Sequence, residues 1–362
     1  MKQSIDINPI PYLTWSWLKI NGDSVSYDFN LQKNDGLELS VPDGVSISGG
    51  KSVETKLPEP QSAIGEDAAK LIADAAGDAR VYTIARAESG DSTKTLVIRI
   101  NADAGAASHQ IIHALGGSRC KIILLHEGGS GTTGTLAGTV TKIYAEDDSQ
   151  VQIAKIQLCG NGVNLIDETS VVCGERAKVS LVQIPLGGSH INAAFHATLA
   201  GSQSEFKSDT AYIVRDNQQI DMNQVVVHKG KKTSCNMRTD GTVLGNATKT
   251  YRGTINLERG CSGSTGTEME STLLLSADAV VKSAPIILCG EDDIKAEHGS
   301  TLGKLSGDML FYMQSRGISR ESAEAMMSRA KISAAAAQIP DEDARAQVQD
   351  YLDGIFGVEI GG

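Results

Sequence analysis

Residues 289–330 read CGEDDIKAEHGSTLGKLSGDMLFYMQSRGISRESAEAMMSRA, and this stretch divides the chain. Before it the pattern is one of short strands; after Ser306 it is helical. Ser306 and Asp308 offer N-cap oxygens ahead of Met309-Leu310-Phe311-Tyr312-Met313. Arg316-Gly317 supplies a basic last turn and a glycine that tolerates the left-handed conformation ending helices. Ser319 caps a second helix, with Glu321 in its first turn. Ala323, Met326, Met327, Ala330, Ala334 and Ala337 form its expected apolar stripe, and Pro340 breaks it. A third helix begins at Asp341-Glu342-Asp343 and places Ala344, Val348, Tyr351, Leu352 and Ile355 on one face, with Gly354 and Gly357 loosening its end. Such a thin helical layer needs a neighbour: the β-body, or in part another protein.

Working outward, residues 81–301 contain no convincing helix. Strand-like runs recur, among them Thr95–Ile100, Gln110–Leu115, Thr139–Tyr144, Val151–Leu158, Ala177–Ile184, Ile191–Leu199, Ser271–Leu275 and Pro285–Cys289. They are rich in Val, Ile and Thr, and turn signals such as Gly160-Asn161-Gly162 and Asp240-Gly241 part them. No fixed repeat period is visible, so barrel, sandwich and solenoid all stay open. A helix-free run of this length fits stacked coils better than one sandwich. Aromatic residues are only 4% while glycine is 38 of 362, which suits a narrow core filled by branched aliphatics. Residues 1–60 read as irregular. Asn8–Leu18 carries both tryptophans and reads as an apolar arm folded onto the body, or else as a docking peptide. Val41–Ser52 reads as short strands and Glu66–Ala75 as one short helix. The expected organisation is an N-terminal arm and short helix over 1–80, a β-body over 81–305 and a helical segment over 306–362.

The net charge of −11 argues against a nucleic-acid surface, which needs a basic footprint. No leader opens the sequence and no apolar run approaches the roughly 20 residues that span a bilayer, so a cytoplasmic protein without membrane contact is expected. Of six cysteines none forms a C-x-x-C pair, and most are expected to be reduced and packed. Gly129-x-Gly131-x-x-Gly134 is followed by β-like sequence rather than a helix, so it reads as a glycine-rich hairpin and not a dinucleotide site. Gly44 to Gly50-Lys51-Ser52 has one residue too many for a phosphate loop. Of seven histidines, six lie in or beside strand runs and read as structural. His298 differs: Glu297 precedes it and Gly299 follows, letting a ligand or another backbone approach. Imidazole and thiolate both suit iron, and Cys289 and Cys261 are the nearest thiols in sequence. These are too few ligands for a cluster, so any remaining ones must come from another chain.

At these residues the sequence resembles the SufB/SufD family, the scaffold of the Suf iron–sulfur cluster assembly system. The signature is Pro285-Ile286-Ile287-Leu288, Asp292-Asp293-Ile294, Glu297-His298-Gly299-Ser300-Thr301-Leu302-Gly303 and Leu310 through Ile318, with Val227-His228 and Tyr251-Arg252-Gly253-Thr254-Ile255 upstream. The resemblance is good over about residues 175–335. It implies a mainly β chain: a right-handed parallel β-helix with a short N-terminal α/β segment and a C-terminal helical segment. It implies no enzyme activity, pairing with a SufB-type partner or as a homodimer, and docking of the ATPase SufC on Phe311, Tyr312, Arg316, Gly317, Ile318 and Met326. A cysteine desulfurase system would supply sulfur indirectly. It further implies a transient iron–sulfur cluster or iron at the dimer seam, with His298, Glu297, Cys289 and Cys261 as the candidate ligand set. His298 followed by glycine matches SufD; Glu270 stands where SufB has its acceptor cysteine. Ala296 stands where SufD often has a cysteine, a thiol that Cys261 or Cys289 would replace in a homodimer. Two other readings compete: a carbohydrate-binding or carbohydrate-active β-solenoid, and a purely structural Suf subunit.

Overall fold

The computed structural model describes residues 3–14, 16–27, 31–34, 36–87, 93–102, 105–128 and 134–357. Strands β1 (Gln3–Ile7) and β2 (Asp23–Tyr27) form an antiparallel hairpin. β3 (Gln32–Lys33), β4 (Glu38–Ser40) and β5 (Val45–Gly50) follow, then α1 (Glu66–Ala76). The chain then alternates between two sheets. One takes β6 (Ala79–Ile84), β8 (Ala106–Ala114), β10 (Thr135–Ala145), β12 (Val163–Cys173), β14 (His190–Leu199), β16 (Gln219–His228), β18 (Thr248–Leu257) and β20 (Val280–Cys289). The other takes β7 (Lys94–Asn101), β9 (Arg119–Gly128), β11 (Gln150–Cys159), β13 (Lys178–Gly187), β15 (Glu205–Val214), β17 (Ser234–Val243), β19 (Ser264–Leu274) and β21 (Ile294–Gly303). Within each run every pairing is parallel, which makes a β-solenoid of about seven turns.

Most coil strands are ten or eleven residues long, longer than the runs visible in sequence, because inward polar residues interrupt the apolar pattern without ending the strand. The repeat is real but uneven. Successive partners Asn164, His190, Gln219, Thr248 and Val280 lie 26, 29, 29 and 32 residues apart, which conceals the period from inspection of the sequence. Side chains alternate across each strand. Ile122, Leu124, Ile153, Val171, Phe195, Ile255 and their neighbours fill the space between the sheets. The residues between them in sequence, such as Ile123, Ile156 and Ile184, face outward and would be exposed without a cover.

Helices provide that cover. α2 (Gly307–Ser315), α3 (Arg320–Ala336) and α4 (Glu342–Phe356) follow the last coil. Ser306, Ser319 and Asp341 each cap a helix by accepting a backbone N–H three residues on. Gly317 has φ of +81°, as the turn after α2 requires. α4 buries Ala344, Val348 and Leu352 against the outward apolar residues of β9, β11, β13 and β15, as its stripe predicts. α3 departs from expectation. Ala330, Ala334 and Ala337 are exposed, and the buried face is Ala323, Ser328, Ile332 and Ala335, continuing to Ile339. Two isoleucines gain far more by burial than three alanine methyls, so they set the helix rotation. Ser328 is tolerated on that face because its hydroxyl donates to Glu324 O at 2.8 Å. Gly354 does not end α4; the helix continues to Phe356 and stops at Gly357, φ +76°.

Residues 1–60 are more ordered than their composition indicated. β5 runs antiparallel to β6, and β4 antiparallel to β7, closing the first coil. α1 and the hairpin cover the outer face of β8–β14 through Ile7, Val25, Ile64, Ala68 and Ile72. The arm is held by a buried ion pair: Arg252 bonds Asp221, donates from Nε to Ile20 O at 2.6 Å, and Asp221 also accepts from Asn8 Nδ2 at 2.5 Å. Tyr12, Leu13 and Trp17 stay exposed on the arm; Trp15 lies outside the described residues, as does most of the Gly129–Gly134 turn. β10, which follows that turn, is a strand, so no helix opens there to hold a pyrophosphate.

Candidate functional site

The last coil has no following strand among the described residues: β20 pairs only with β18, and β21 only with β19. Ile294 and Ala296 point inward and pack on the central core. His298, two residues further along, therefore lies on the same inward side. No next coil covers it, so its side chain is exposed at the open end of the solenoid.

Behind His298 lies a buried polar cluster. Its cross-strand neighbour is Glu268, only 1% exposed. Among the described residues the Glu268 carboxylate oxygens form no well-aligned hydrogen bond, with the Tyr251 hydroxyl beside them. Burial pushes this carboxyl up to about 7, with the Tyr251 hydroxyl and the Lys249 ammonium pulling it only partly back. Next along β19, Glu270 forms a buried ion pair with Lys249, accepts from Ser283 Oγ at 3.0 Å and, through its other oxygen, from Ser300 Oγ at 2.8 Å. Burial holds Lys249 well below the ordinary lysine value. Gly253 leaves room for this cluster: a Cβ there would strike the Glu268 carboxylate and the Tyr251 hydroxyl. Inward polar residues of earlier coils continue from it. Tyr251 Oη donates to Gln224 Oε1 at 3.4 Å, Thr239 Oγ1 to the same oxygen at 3.1 Å, and Gln224 Nε2 to Thr210 Oγ1 at 3.0 Å.

The candidate metal ligands are distributed unevenly. His298, Glu297 and Cys289 are exposed at the open end, with Cys289 closing β20. Cys261 is fully buried in the central core, where burial raises its thiol pKa. Among the described residues no three His, Cys, Asp or Glu side chains come together as a metal-binding group. The other cysteines are buried and form no disulfide. His228 Nε2 lies 3.2 Å from Cys235 Sγ, but burial holds the imidazole down to about 4 and the thiol up to about 12, so this pair stays neutral and supplies no nucleophile.

The helical candidates also divide. Phe311 is 75% and Tyr312 58% exposed, and the Arg316 guanidinium stacks 5.3 Å above the Tyr312 ring. Leu302 and Met309 are also exposed. Gly317 is exposed, whereas Ile318 and Met326 are half-buried. Sequence reading missed Glu268, Glu270 and Lys249. The available signal was Glu268-x-Glu270 just ahead of the strand-like run at Ser271; once the strand is extended back to Ser264, both carboxylates fall on one face of it.

Residues 97–331 match the family model described as SUF system FeS cluster assembly, SufBD core domain. The chain belongs to the SufBD family. It is 25% identical over 253 residues to a chloroplastic SufBD family iron–sulfur cluster assembly protein of Arabidopsis thaliana, covering 67% of this chain and 45% of that one. It is 21% identical over 215 residues to the iron–sulfur cluster assembly protein SufD of Bacillus subtilis, covering 59% and 49%. A SufBD family protein of Synechocystis is 24% identical over 203 residues, covering 54% and 42%. The chain thus spans less than half the length of these SufBD relatives. Among the described residues no helix is long and apolar enough to cross a membrane.

Proposed function

We propose that this SufBD-family chain is a SufD-type scaffold subunit of iron–sulfur cluster assembly, acting as a platform and not as an enzyme. It pairs through its last coil with a SufB-type partner or a second copy, and His298 supplies one ligand to iron or a nascent cluster at that seam. Glu297 and Cys289 stand at the same open end and are further candidate donors. The observation that carries the reading is a last coil with no following strand among the described residues, and on it an exposed inward-facing imidazole over a buried carboxylate that has only the Tyr251 hydroxyl beside it and no well-aligned hydrogen bond.

The exposed Phe311, Tyr312 and Arg316 surface is the proposed dock for SufC, with Gly317 shaping the turn; ATP-driven closure of two SufC subunits would move the paired scaffolds. The half-buried Ile318 and Met326 would support this surface from beneath. Deleting residues 306–362 would be a poor test, because α3 and α4 cover apolar sheet residues. Phe311→Ala with Tyr312→Ala leaves that cover in place. The reading predicts loss of SufC in a pull-down with this double variant; undiminished binding would remove the dock. For the metal role, the chain is co-expressed with SufB, SufC and a cysteine desulfurase. His298→Ala should lower the iron and sulfide content of the purified complex. Unchanged content would favour a purely structural subunit.

A further inference from the structure

The outward face of the odd-numbered sheet is covered by α3 and α4 only in part. The first residues of its strands remain open and form a trough of about 680 Å³. Two rows of side chains lie along it. Arg119, Gln150 and Lys178 are successive cross-strand partners, and so are Lys121, Gln152, Ser180 and Lys207. The wall on the helical side is fixed: Gln152 Nε2 donates to Gln338 O and Lys207 Nζ to Gln338 Oε1, both at 3.0 Å. Lys178 pairs with the exposed Glu205 and Lys207 with the buried Asp209. Arg119 and Lys121 have no side-chain partner among the described residues, although the chain carries a net charge of −11.

We propose that this trough binds an extended acidic segment of a partner protein, with its carboxylates on Arg119, Lys121 and Lys178. Strands lie about 4.8 Å apart, so Arg119 and Lys178, two strands apart, are separated by about 10 Å. An extended segment rising about 3.1 Å per residue brings every third side chain to the same side at about 9 Å. Carboxylates three residues apart therefore match the rungs, and the amides of Gln150 and Gln152 meet the segment between them. A nucleic-acid strand fits less well. Its phosphates would meet Glu205, and Phe206, the one aromatic residue among the described residues lining the trough, is buried and cannot stack on bases.

The test uses the full chain and a fluorescein-labelled 12-residue peptide with glutamate at every third position and glycine or serine elsewhere. Fluorescence anisotropy at low salt reads the binding. The proposal predicts saturable binding, weakened about tenfold by Arg119→Glu with Lys121→Glu, which is about 1.4 kcal/mol. Arg119→Gln with Lys121→Gln should weaken it severalfold, which keeps the test intact if charge reversal perturbs folding. Lys51→Glu with Lys56→Glu, exposed cations outside the trough, should leave it unchanged. Absence of binding, an equal loss in that control, no loss in either trough variant, or tighter binding of a single-stranded oligonucleotide of matched length would overturn the proposal.

Discussion

The two ends of the solenoid are finished in opposite ways. At the first coil, β4 and β5 run antiparallel to the stack, and α1 with the hairpin seals the face beside them. At the last coil, no strand among the described residues pairs with the outer edges of β20 and β21. Two buried glutamates sharpen the contrast. Glu168, inside the sealed region, accepts from Ile64 N at 2.8 Å, Ala63 N at 3.2 Å and Ser170 Oγ at 2.8 Å. Glu268, behind the open coil, has the Tyr251 hydroxyl beside it but no well-aligned hydrogen bond among the described residues. Burial raises both carboxyls to about 7. One belongs to a finished structure. The other is left as though a partner completes it, since an open edge and a poorly satisfied buried acid are both costly in isolation.

The largest expected effect tests how the arm is locked down. Arg252→Ala would strand Asp221 in the buried site beneath the arm, and removing one member of a buried ion pair costs about 3–5 kcal/mol. Urea unfolding should show that loss; a change under about 1 kcal/mol would mean the arm is not clamped there. In the helical layer, Ile332→Ala should cost about 2–5 kcal/mol, and Ala334→Ser less than about 0.5 kcal/mol. Equal costs would contradict the rotation of α3.

Next comes pH dependence. A carboxyl at about 7 in the folded chain and near 4.5 when unfolded gives stability that is full below about pH 4.5 and declines as pH rises to about 7. For Glu268 the span is roughly 3 kcal/mol. Glu268→Gln should flatten that part of the stability–pH profile of the isolated chain, and an unaltered profile would contradict the assigned burial. The smallest effect is expected at His298. Its exposed ring makes His298→Ala worth less than about 0.5 kcal/mol to the isolated chain, while the proposed metal role makes it decisive for iron content.

Much of this architecture was legible in the residues. The caps at Ser306, Ser319 and Asp341 and the turn at Gly317 follow from local chemistry, and local chemistry is what sequence displays. The face of α3 was not, because alanines at helical spacing look apolar while the strand residues that select Ile332 and Ile339 lie more than a hundred residues away. His298 stood out through its neighbours Glu297 and Gly299. Glu268 and Glu270 did not, since a carboxylate in a strand reads as solvent-facing until the coil that encloses it is known. The arm was read as irregular because Asn8 and Ile20 acquire their roles through Asp221 and Arg252, far along the chain.

The central claim is that the last coil is a subunit seam, and amide hydrogen exchange on residues 280–303 tests it most directly. Exchange is compared between the isolated chain and the chain co-purified with a SufB-type partner. The account predicts slowed exchange across β20 and β21 in the complex, with β4 and β5 unchanged. Exchange over 280–303 as fast in the complex as in the free chain would contradict it.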